Sequence, residues 1–335
     1  MLILGIDTSC DDTCAAVLSC DLIFSNIISS QVNIHAQWGG VVPTLAKRAH
    51  QAQILPCIHL ALKRAHTTIQ RIDLIAITIG PGLSPALSVG VNAARDLADT
   101  HHKKITAVNH IEAHLLSPWL KNRHALPSRS IKFPALALTV SGGHTKVVLI
   151  EKIGSYQIIG QTLDDAAGEA LDKSAKLLGL GYPGGPVLER LARNGDPRFL
   201  KLPQPLSNKK ILDFSFSGLK TAFYYQIKDW PKVKISRHLF HLAASFQSAV
   251  FDALISKFSL AITKTQPQSL LAAGGVLANR HLRCRLRRLS RQFTLPLYLP
   301  FKKELNTDNA AMVALAAYLH PLKCPLNPSP LFPLC

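Results

Sequence analysis

The chain has 335 residues, 47% of them hydrophobic and 17% charged, which exceeds the ~150 residues of one typical domain and excludes intrinsic disorder over most of its length. Lys and Arg number 38 against 20 Asp and Glu, a formal net charge of +18 that points to a polyanionic partner, nucleic acid before an acidic membrane surface. The seven cysteines are odd in number and none form a CxxC pair, so a reducing compartment is expected, and residues 2–6 lack both the basic flank and the apolar length of an export signal. A cytoplasmic protein without a membrane segment follows as the expectation. The long uncharged run at 74–94 is broken by Gly80-Pro81-Gly82 and Pro85 and reads as strand, loop and helix.

In chain order, residues 2–6 form an apolar run ended by Asp7-Thr8-Ser9, and residues 15–18 begin another, so the chain opens as strand, polar turn, strand. Residues 44–66 carry helical spacing through Leu45, Ala49, Ala52, Leu55, Ile58 and Leu62, with Pro56 inside. Residues 73–79 read as a strand, and Ser84-Pro85 as the cap and first turn of a helix. The opening pattern returns at 135–150, where two apolar runs flank Ser141-Gly142-Gly143-His144-Thr145. A duplicated α/β architecture is therefore expected, with lobes at 1–116 and 135–320, a linker or hinge at 117–134 rich in Pro, Ser and basic residues, and an irregular tail at 321–335. Within the second lobe, Asp164 or Asp165 is expected to cap a helix running to Leu178, with Gly179 closing it. Residues 269–273 form a strand, and Gly274-Gly275 leads into a helix over 276–291.

Several residues could carry chemistry. His110 and His114 stand at i and i+4 on one helical face and can reach one metal ion, although such pairs also arise as ordinary surface histidines. Glu112 lies ~200° around from His110, so it cannot serve as the general base of a metalloprotease helix. Asp308, before the apolar helix 310–319, reads as a third ligand or as a plain N-cap. The glycine turn at 141–145 suits an anion approached by backbone N–H groups, or simply a tight hairpin. Asp165, Glu169 and Asp172 share a face opposite the apolar Ala167, Leu171, Ala175 and Leu178. Arg280, Arg283, Arg285, Arg287, Arg288 and Arg291 crowd one helix over core-spaced leucines, a phosphate-binding face or a solvated one.

Ten ordered motifs tie these pieces together. They are Gly5-Ile6-Asp7-Thr8-Ser9-Cys10-Asp11-Asp12-Thr13, Gly39-Gly40-Val41-Val42-Pro43, Gly80-Pro81-Gly82-Leu83, His110-x-Glu112-x-His114-Leu115-Leu116, the 141–145 turn, Asp164-Asp165-Ala166-Ala167-Gly168-Glu169-Ala170, Tyr182-Pro183-Gly184-Gly185-Pro186, Phe214 to Thr221, Gly274-Gly275-Val276-x-Ala278-Asn279 and Thr307-Asp308-Asn309. Over nearly its whole length the chain resembles the tRNA N6-adenosine threonylcarbamoyltransferases of bacterial TsaD type. The resemblance implies two related α/β lobes of the actin-like, sugar-kinase-like and Hsp70-like (ASKHA) fold. It implies transfer of L-threonylcarbamoyl from threonylcarbamoyl-adenylate to N6 of adenosine 37 in tRNAs reading ANN codons, with release of AMP. By the same resemblance His110, His114 and Asp308 hold one divalent metal ion, iron favoured and zinc possible. Thr139, Val140, Ser141, Gly142, Gly143, Asp172, Gly185, Glu189 and Asn279 bind the adenylate, and Asp11 and Asp12 are the catalytic candidates. A paralogous TsaB-type partner and a TsaE-type ATPase are implied as well. Asp7 and Asp12 stand where the family more often has glutamate, each one methylene shorter, which bears on their reach. A glycoprotease-type metalloprotease and a kinase or ATPase of the same fold are the alternatives.

Overall fold

The computed structural model describes residues 1–206 and 211–320, and the chain divides into two compact units: Met1–Ile131 with Ile153–Tyr156 and the segment from Leu299 onward, and Lys132–Lys152 with Gln157–Tyr298. The first unit runs β1 (Leu2–Asp7), β2 (Asp12–Ser19), β3 (Leu22–Ser30), α1 (Val32–His35), α2 (Pro43–Arg64), β4 (Leu74–Gly80), α3 (Ser84–His101), β5 (Lys104–Asn109) and α4 (His110–Leu116). Its sheet has the order β3-β2-β1-β4-β5, antiparallel from β1 to β3 and parallel from β1 through β4 to β5.

The second unit holds β6 (Ala135–Val140), β7 (Thr145–Lys152), β8 (Ser155–Gln161, of which Ser155 and Tyr156 group with the first unit), α5 (Ala167–Leu177), α6 (Gly184–Ala192), α7 (Ser217–Ile227), α8 (Lys232–Arg237), α9 (Leu239–Thr265), β9 (Ser269–Ala273), α10 (Arg280–Gln292) and β10 (Leu297–Tyr298). Its sheet order, β10-β9-β6-β7-β8, repeats the first with an antiparallel β6–β7 hairpin and parallel β9 and β10. The duplicated pattern of the sequence is thus a duplicated topology. Among the described residues α9 is the one helix long and apolar enough to cross a membrane, and here Leu242, Phe246, Val250, Phe251, Leu254 and Phe258 are buried within the second unit.

The central strands read as unbroken apolar runs because both of their faces are covered. Ile3 joins the cluster of Ala16, Leu18 and the last helix, α11 (Ala310–Leu319), while Leu4 and Ile6 join Ile54, Ile58 and Val89 of α2 and α3 on the other face. Gly5 admits α11, since a Cβ there would collide with Ala310 O. This packing corrects the expected lobe of 135–320: α11 is helix and buried nearly all round, and it belongs with the first unit. The expected linker also divides, because residues 117–131 group with the first unit, where Lys121 N–H donates to Asp21 O and Lys121 O accepts from Ile23 N, both at 2.9 Å. The tail expected at 321–335 lies outside the described residues.

Two helix readings need correction. On α2 the buried positions are Ala46, His50, Ile54, Cys57, Ile58 and Ala61, and Leu55 is 61% exposed. The true stripe contains a histidine held by hydrogen bonds, so the apolar pattern misplaced it. Neither Asp164 nor Asp165 caps α5, whose N-cap is Ala166. Asp164 instead accepts from Phe216 N–H (2.7 Å), Ser217 N–H (3.2 Å) and the Ser215 hydroxyl (2.5 Å) at the start of α7, and Asp165 pairs with Lys173 and Lys220. The opposite stripe of α5 is buried as expected, and Gly179 follows with φ +72°.

Candidate functional site

At the carboxyl end of β5, Asn109 turns the chain into α4 by accepting from Ile111 N–H (2.9 Å) and Glu112 N–H (3.2 Å). The first residue of the new helix is His110, and one turn on comes His114; both are buried, with ring centroids 4.7 Å apart and nearly perpendicular. At the start of α11 the cap is Asn309, which accepts from Met312 N–H at 3.1 Å. Asp308 is therefore not the cap and turns to the histidines, its Oδ1 3.2 Å from His114 Nε2 and 3.5 Å from His110 Nε2. The Cys14 thiol donates to the Asp308 backbone carbonyl at 3.5 Å.

The three donors lie within 4.8 Å of one another. A tetrahedral ion with ~2.0–2.1 Å bonds places neighbouring ligands about 3.3 Å apart, which matches the two histidine–carboxylate separations. Around them sit buried polar atoms without hydrogen-bond partners: His110 Nδ1, His114 Nδ1, Asp7 Oδ2, Asp12 Oδ1 and Ser9 Oγ. Such a concentration is costly in a folded core unless another group completes it. Two imidazoles and one carboxylate fit a single divalent cation with coordination positions left open.

The carboxylates of the cluster favour positive charge. Burial alone would hold His110 low, but the Asp308 and Asp7 carboxylates push it up to about 10. Burial keeps His114 below its usual value. Against its own burial, Asp308 is held well below the carboxylate range by His110 and His114. Asp7, at the end of β1, accepts from Ser9 N–H at 3.0 Å and places its other oxygen 3.4 Å from His110 Nδ1. That contact falls just outside hydrogen-bond range, so the shorter side chain still faces the imidazole. Asp7 as the support of that ring was not anticipated.

Glu112 points away as its spacing predicted. Its Oε1 accepts from Tyr156 Oη–H at 2.7 Å and from His320 Nδ1–H at 2.8 Å. Asp11 and Asp12 lie at the turn into β2, where burial raises both carboxyls. Asp12 reaches about 7: burial dominates, a hydrogen bond from Ser30 opposes it, and Asp11, Asp308 and Asp7 add to it. His50 of α2 supports this turn, its Nε2–H donating to Cys10 O (3.0 Å) while Nδ1 accepts from the Thr13 hydroxyl (2.8 Å). Nothing in a helical apolar pattern signals such a role.

In the second unit, Thr139 and Val140 end β6 inside the core, and the Thr139 hydroxyl is buried without a partner. The turn that follows is closed by Ser141 N–H to His144 O (2.8 Å) and His144 N–H to Ser141 Oγ (3.0 Å). Gly142 and Gly143 are exposed, and no atom lies within 4 Å of where a Cβ would stand. Gly168 N–H at the start of α5 donates to Ser141 O at 3.2 Å. Asp172 Oδ1 accepts from Gly184 and Gly185 N–H (2.8 and 2.9 Å), so Gly185 serves the start of α6. Glu189 Oε1 accepts from Arg280 N–H at 2.9 Å. Asn279 caps α10 through His281 and Leu282 N–H, and its amide donates to Gln247 Oε1 at 2.7 Å. Gly274 has φ +102°, and its missing Cβ is where Val140 O passes. The helix expected over 276–291 begins at Arg280 after a 3₁₀ turn. Of its arginines, Arg285 is committed to Asp252, while Arg287 and Arg288 are exposed.

The family model described as tRNA N6-adenosine threonylcarbamoyltransferase matches residues 22–315. The chain belongs to that family. It is 46% identical over 316 residues to the tRNA N6-adenosine threonylcarbamoyltransferase of Geotalea uraniireducens (strain Rf4), covering 94% of this chain and 90% of the relative. To the enzyme of that name from Thermosipho africanus (strain TCF52B) it is 42% identical over 318 residues, with coverages of 95% and 94%. Component A of the Acidaminococcus fermentans (R)-2-hydroxyglutaryl-CoA dehydratase superposes over 95% of this chain and 98% of its own (TM-score 0.54, 16% identity). HypF of T. kodakarensis does so over 95% of this chain and 47% of its own (TM-score 0.61, 14% identity). At such identities these likenesses speak for the ASKHA-type fold alone.

Proposed function

We propose that the chain transfers the L-threonylcarbamoyl group from threonylcarbamoyl-adenylate to N6 of adenosine 37 in tRNAs reading ANN codons, releasing AMP, in the cytoplasm. The observation that carries the reading is the cluster of buried His110 and His114 with half-buried Asp308, its histidine and carboxylate brought together across 194 residues of sequence, in a chain of this family. A divalent ion held there, iron in preference to zinc, would supply Lewis-acid polarisation and a template for the oxygen-rich carbamoyl-threonine end of the donor. Asp7 orients the His110 ring, the kind of outer support that fixes a ligand imidazole.

The adenylate end falls to the second unit. Exposed backbone at Gly142 and Gly143 receives the phosphate, with Ser141 beside it and the buried Thr139 and Val140 anchoring the turn from the end of β6. Asp172 and Glu189 are carboxylates held still at helix starts and face the ribose hydroxyls, and Gly185 and Asn279 keep those starts in place. The exocyclic amine is a weak nucleophile, so positioning supplies much of the acceleration. As the new C–N bond forms, Asp12 takes the amine proton, its carboxyl near neutrality being suited to that transfer; Asp11 beside it is the second candidate. The metalloprotease reading is disfavoured by the two hydrogen bonds that occupy Glu112 on the other face of α4. Kinases share the fold, which by itself specifies no chemistry.

A TsaB-type paralogue and a TsaE-type ATPase complete the working assembly in this reading. The deciding experiment incubates the chain with both, threonylcarbamoyl-adenylate and tRNA, then digests the RNA and seeks the modified nucleoside by mass spectrometry. The expected result is one modified adenosine per AMP released. Peptide cleavage without tRNA, or ADP formation from ATP with a small hydroxyl compound, in place of that product would overturn it.

A further inference from the structure

The outer face of α7 carries chemistry that the fold does not use. Leu219, Phe223 and Ile227 complete the buried side of this helix at i, i+4 and i+8. Tyr224 and Tyr225 nevertheless stand 45% and 61% exposed, their rings 5.5 Å apart and inclined at 64°. They line a cavity of about 440 Å³ together with Lys173, Lys176, Lys220 and Thr221. Lys173 and Lys220 are pinned by Asp165, which makes the wall rigid, whereas Lys176 is exposed and has no acidic partner among the described residues. Lys228 places its ammonium 5.1 Å from the Tyr225 ring centre, and on α8 Lys234 lies 3.9 Å from that of Trp230. Residues 217–238 contain five Lys and Arg against the single Asp229.

We propose that this tyrosine–lysine face binds an unpaired segment of the RNA substrate, a base stacking on Tyr224 or Tyr225 while Lys176 and Lys228 meet the flanking phosphates. The inference rests on the transfer reading and adds to it a contact surface for the RNA. Cations alone would suit any polyanion, but exposed aromatic rings set among them match single-stranded nucleic acid, whose bases offer a π-face at every position. An acidic peptide would gain little from two bare tyrosines. Placement agrees as well: Lys220 of α7 and Lys173 of α5 share Asp165, and α5 starts against the 141–145 turn through Gly168 N–H. RNA seated on α7 therefore lies one helix away from the exposed glycines.

The test uses the full chain with its partner proteins and a substrate tRNA carrying 2-aminopurine in its unpaired loop. Fluorescence quenching on binding reports stacking, and a salt titration reports phosphate contacts. Tyr224→Ala with Tyr225→Ala should abolish the quench and weaken binding roughly tenfold or more, and Tyr224→Phe with Tyr225→Phe should restore both. Lys176→Gln with Lys228→Gln should lower the log–log salt slope by about 1.4 and keep the quench. A duplex RNA of equal charge should be indifferent to the tyrosine substitutions. Unchanged affinity and quench in the double-alanine protein, with transfer by the unsubstituted protein intact, would overturn this inference alone; absence of tRNA binding and transfer by the unsubstituted protein would overturn the parent reading too. The substituted side chains are exposed, so matching thermal midpoints verify folding.

Discussion

Substitution on the two faces of α4 separates metal binding from structure. Glu112 is buried and accepts two hydrogen bonds, from Tyr156 at 2.7 Å and His320 at 2.8 Å. Bonds to a charged acceptor are worth ~1.5–3 kcal/mol each and neutral ones ~0.5–1.5. Glu112→Gln keeps an oxygen in place but loses the charge, so it should cost about 1–3 kcal/mol. At roughly 2 °C per kcal/mol for a chain of this size, the midpoint should fall by about 2–6 °C, with metal content and most of the transfer rate retained. His110→Ala, His114→Ala and Asp308→Ala should each lose metal and transfer together. A ligand present at a hundred times its dissociation constant stabilises by ~2.7 kcal/mol. A chelator should accordingly depress the midpoint of the unsubstituted and Glu112→Gln proteins by about 5 °C and leave the three ligand variants unmoved. Elemental analysis, melts with and without chelator, and the transfer rate are measured on all of them. Stoichiometric metal in Asp308→Ala, or collapse of transfer in folded, metal-loaded Glu112→Gln, would refute the reasoning.

Burial raises the Asp12 carboxyl to about 7, so in chelated protein its contribution is fully present below its ordinary value near 4 and is lost as pH rises through about 7; Asp12→Asn should flatten that fall in urea midpoints, and parallel curves for the two proteins would count against it. Gly274→Ala meets Val140 O at a positive φ and should cost about 3 kcal/mol or more by urea unfolding; a loss under 1 kcal/mol would show that the approach of Gly274 to Val140 is not tight. Replacing Arg283, Arg287 and Arg288 together with Gln should reduce the salt slope of tRNA binding by about 2 if α10 touches RNA, and an unchanged slope returns them to a solvated face. The chain without its partner proteins should transfer slowly, and repeated full-rate turnover by the isolated chain would exclude the need for them.

What the sequence discloses about this molecule follows from the range of each signal. Two apolar runs around a short polar turn mark a pair of strands, so both opening hairpins were legible, and the i, i+4 spacing put His110 and His114 on one face with Glu112 off it. Those are statements about a residue and its own element. Asp308 reaches the histidines across 194 residues, and no local pattern carries that distance; only the family resemblance supplied it. The all-apolar α11 announced burial without saying in which core. His50 was overlooked and Asp164 misread because their burial or orientation comes from partners in other segments: Thr13 and Cys10 for the one, the start of α7 for the other.

A common physical reason places the candidate residues of both units. Asp7 ends β1, His110 follows β5, Thr139 and Val140 end β6, and Asn279 follows β9. In each sheet these are carboxyl ends of mutually parallel strands, where the chain leaves the ladder and free N–H groups at loop turns and helix starts must find acceptors. Asn109, Asp172, Glu189, Asn279 and Asn309 satisfy them with side-chain oxygens, and each such cap fixes the residue beside it: His110 beside Asn109, Asp308 beside Asn309. The caps thus set the positions of the metal-facing donors, which predicts that Asn109→Ala, though remote from any substrate atom, should lower metal affinity along with helix stability. An Asn109→Asp protein, which keeps the acceptor, should recover both, and metal affinity that stayed normal in Asn109→Ala would break the link between cap and donor.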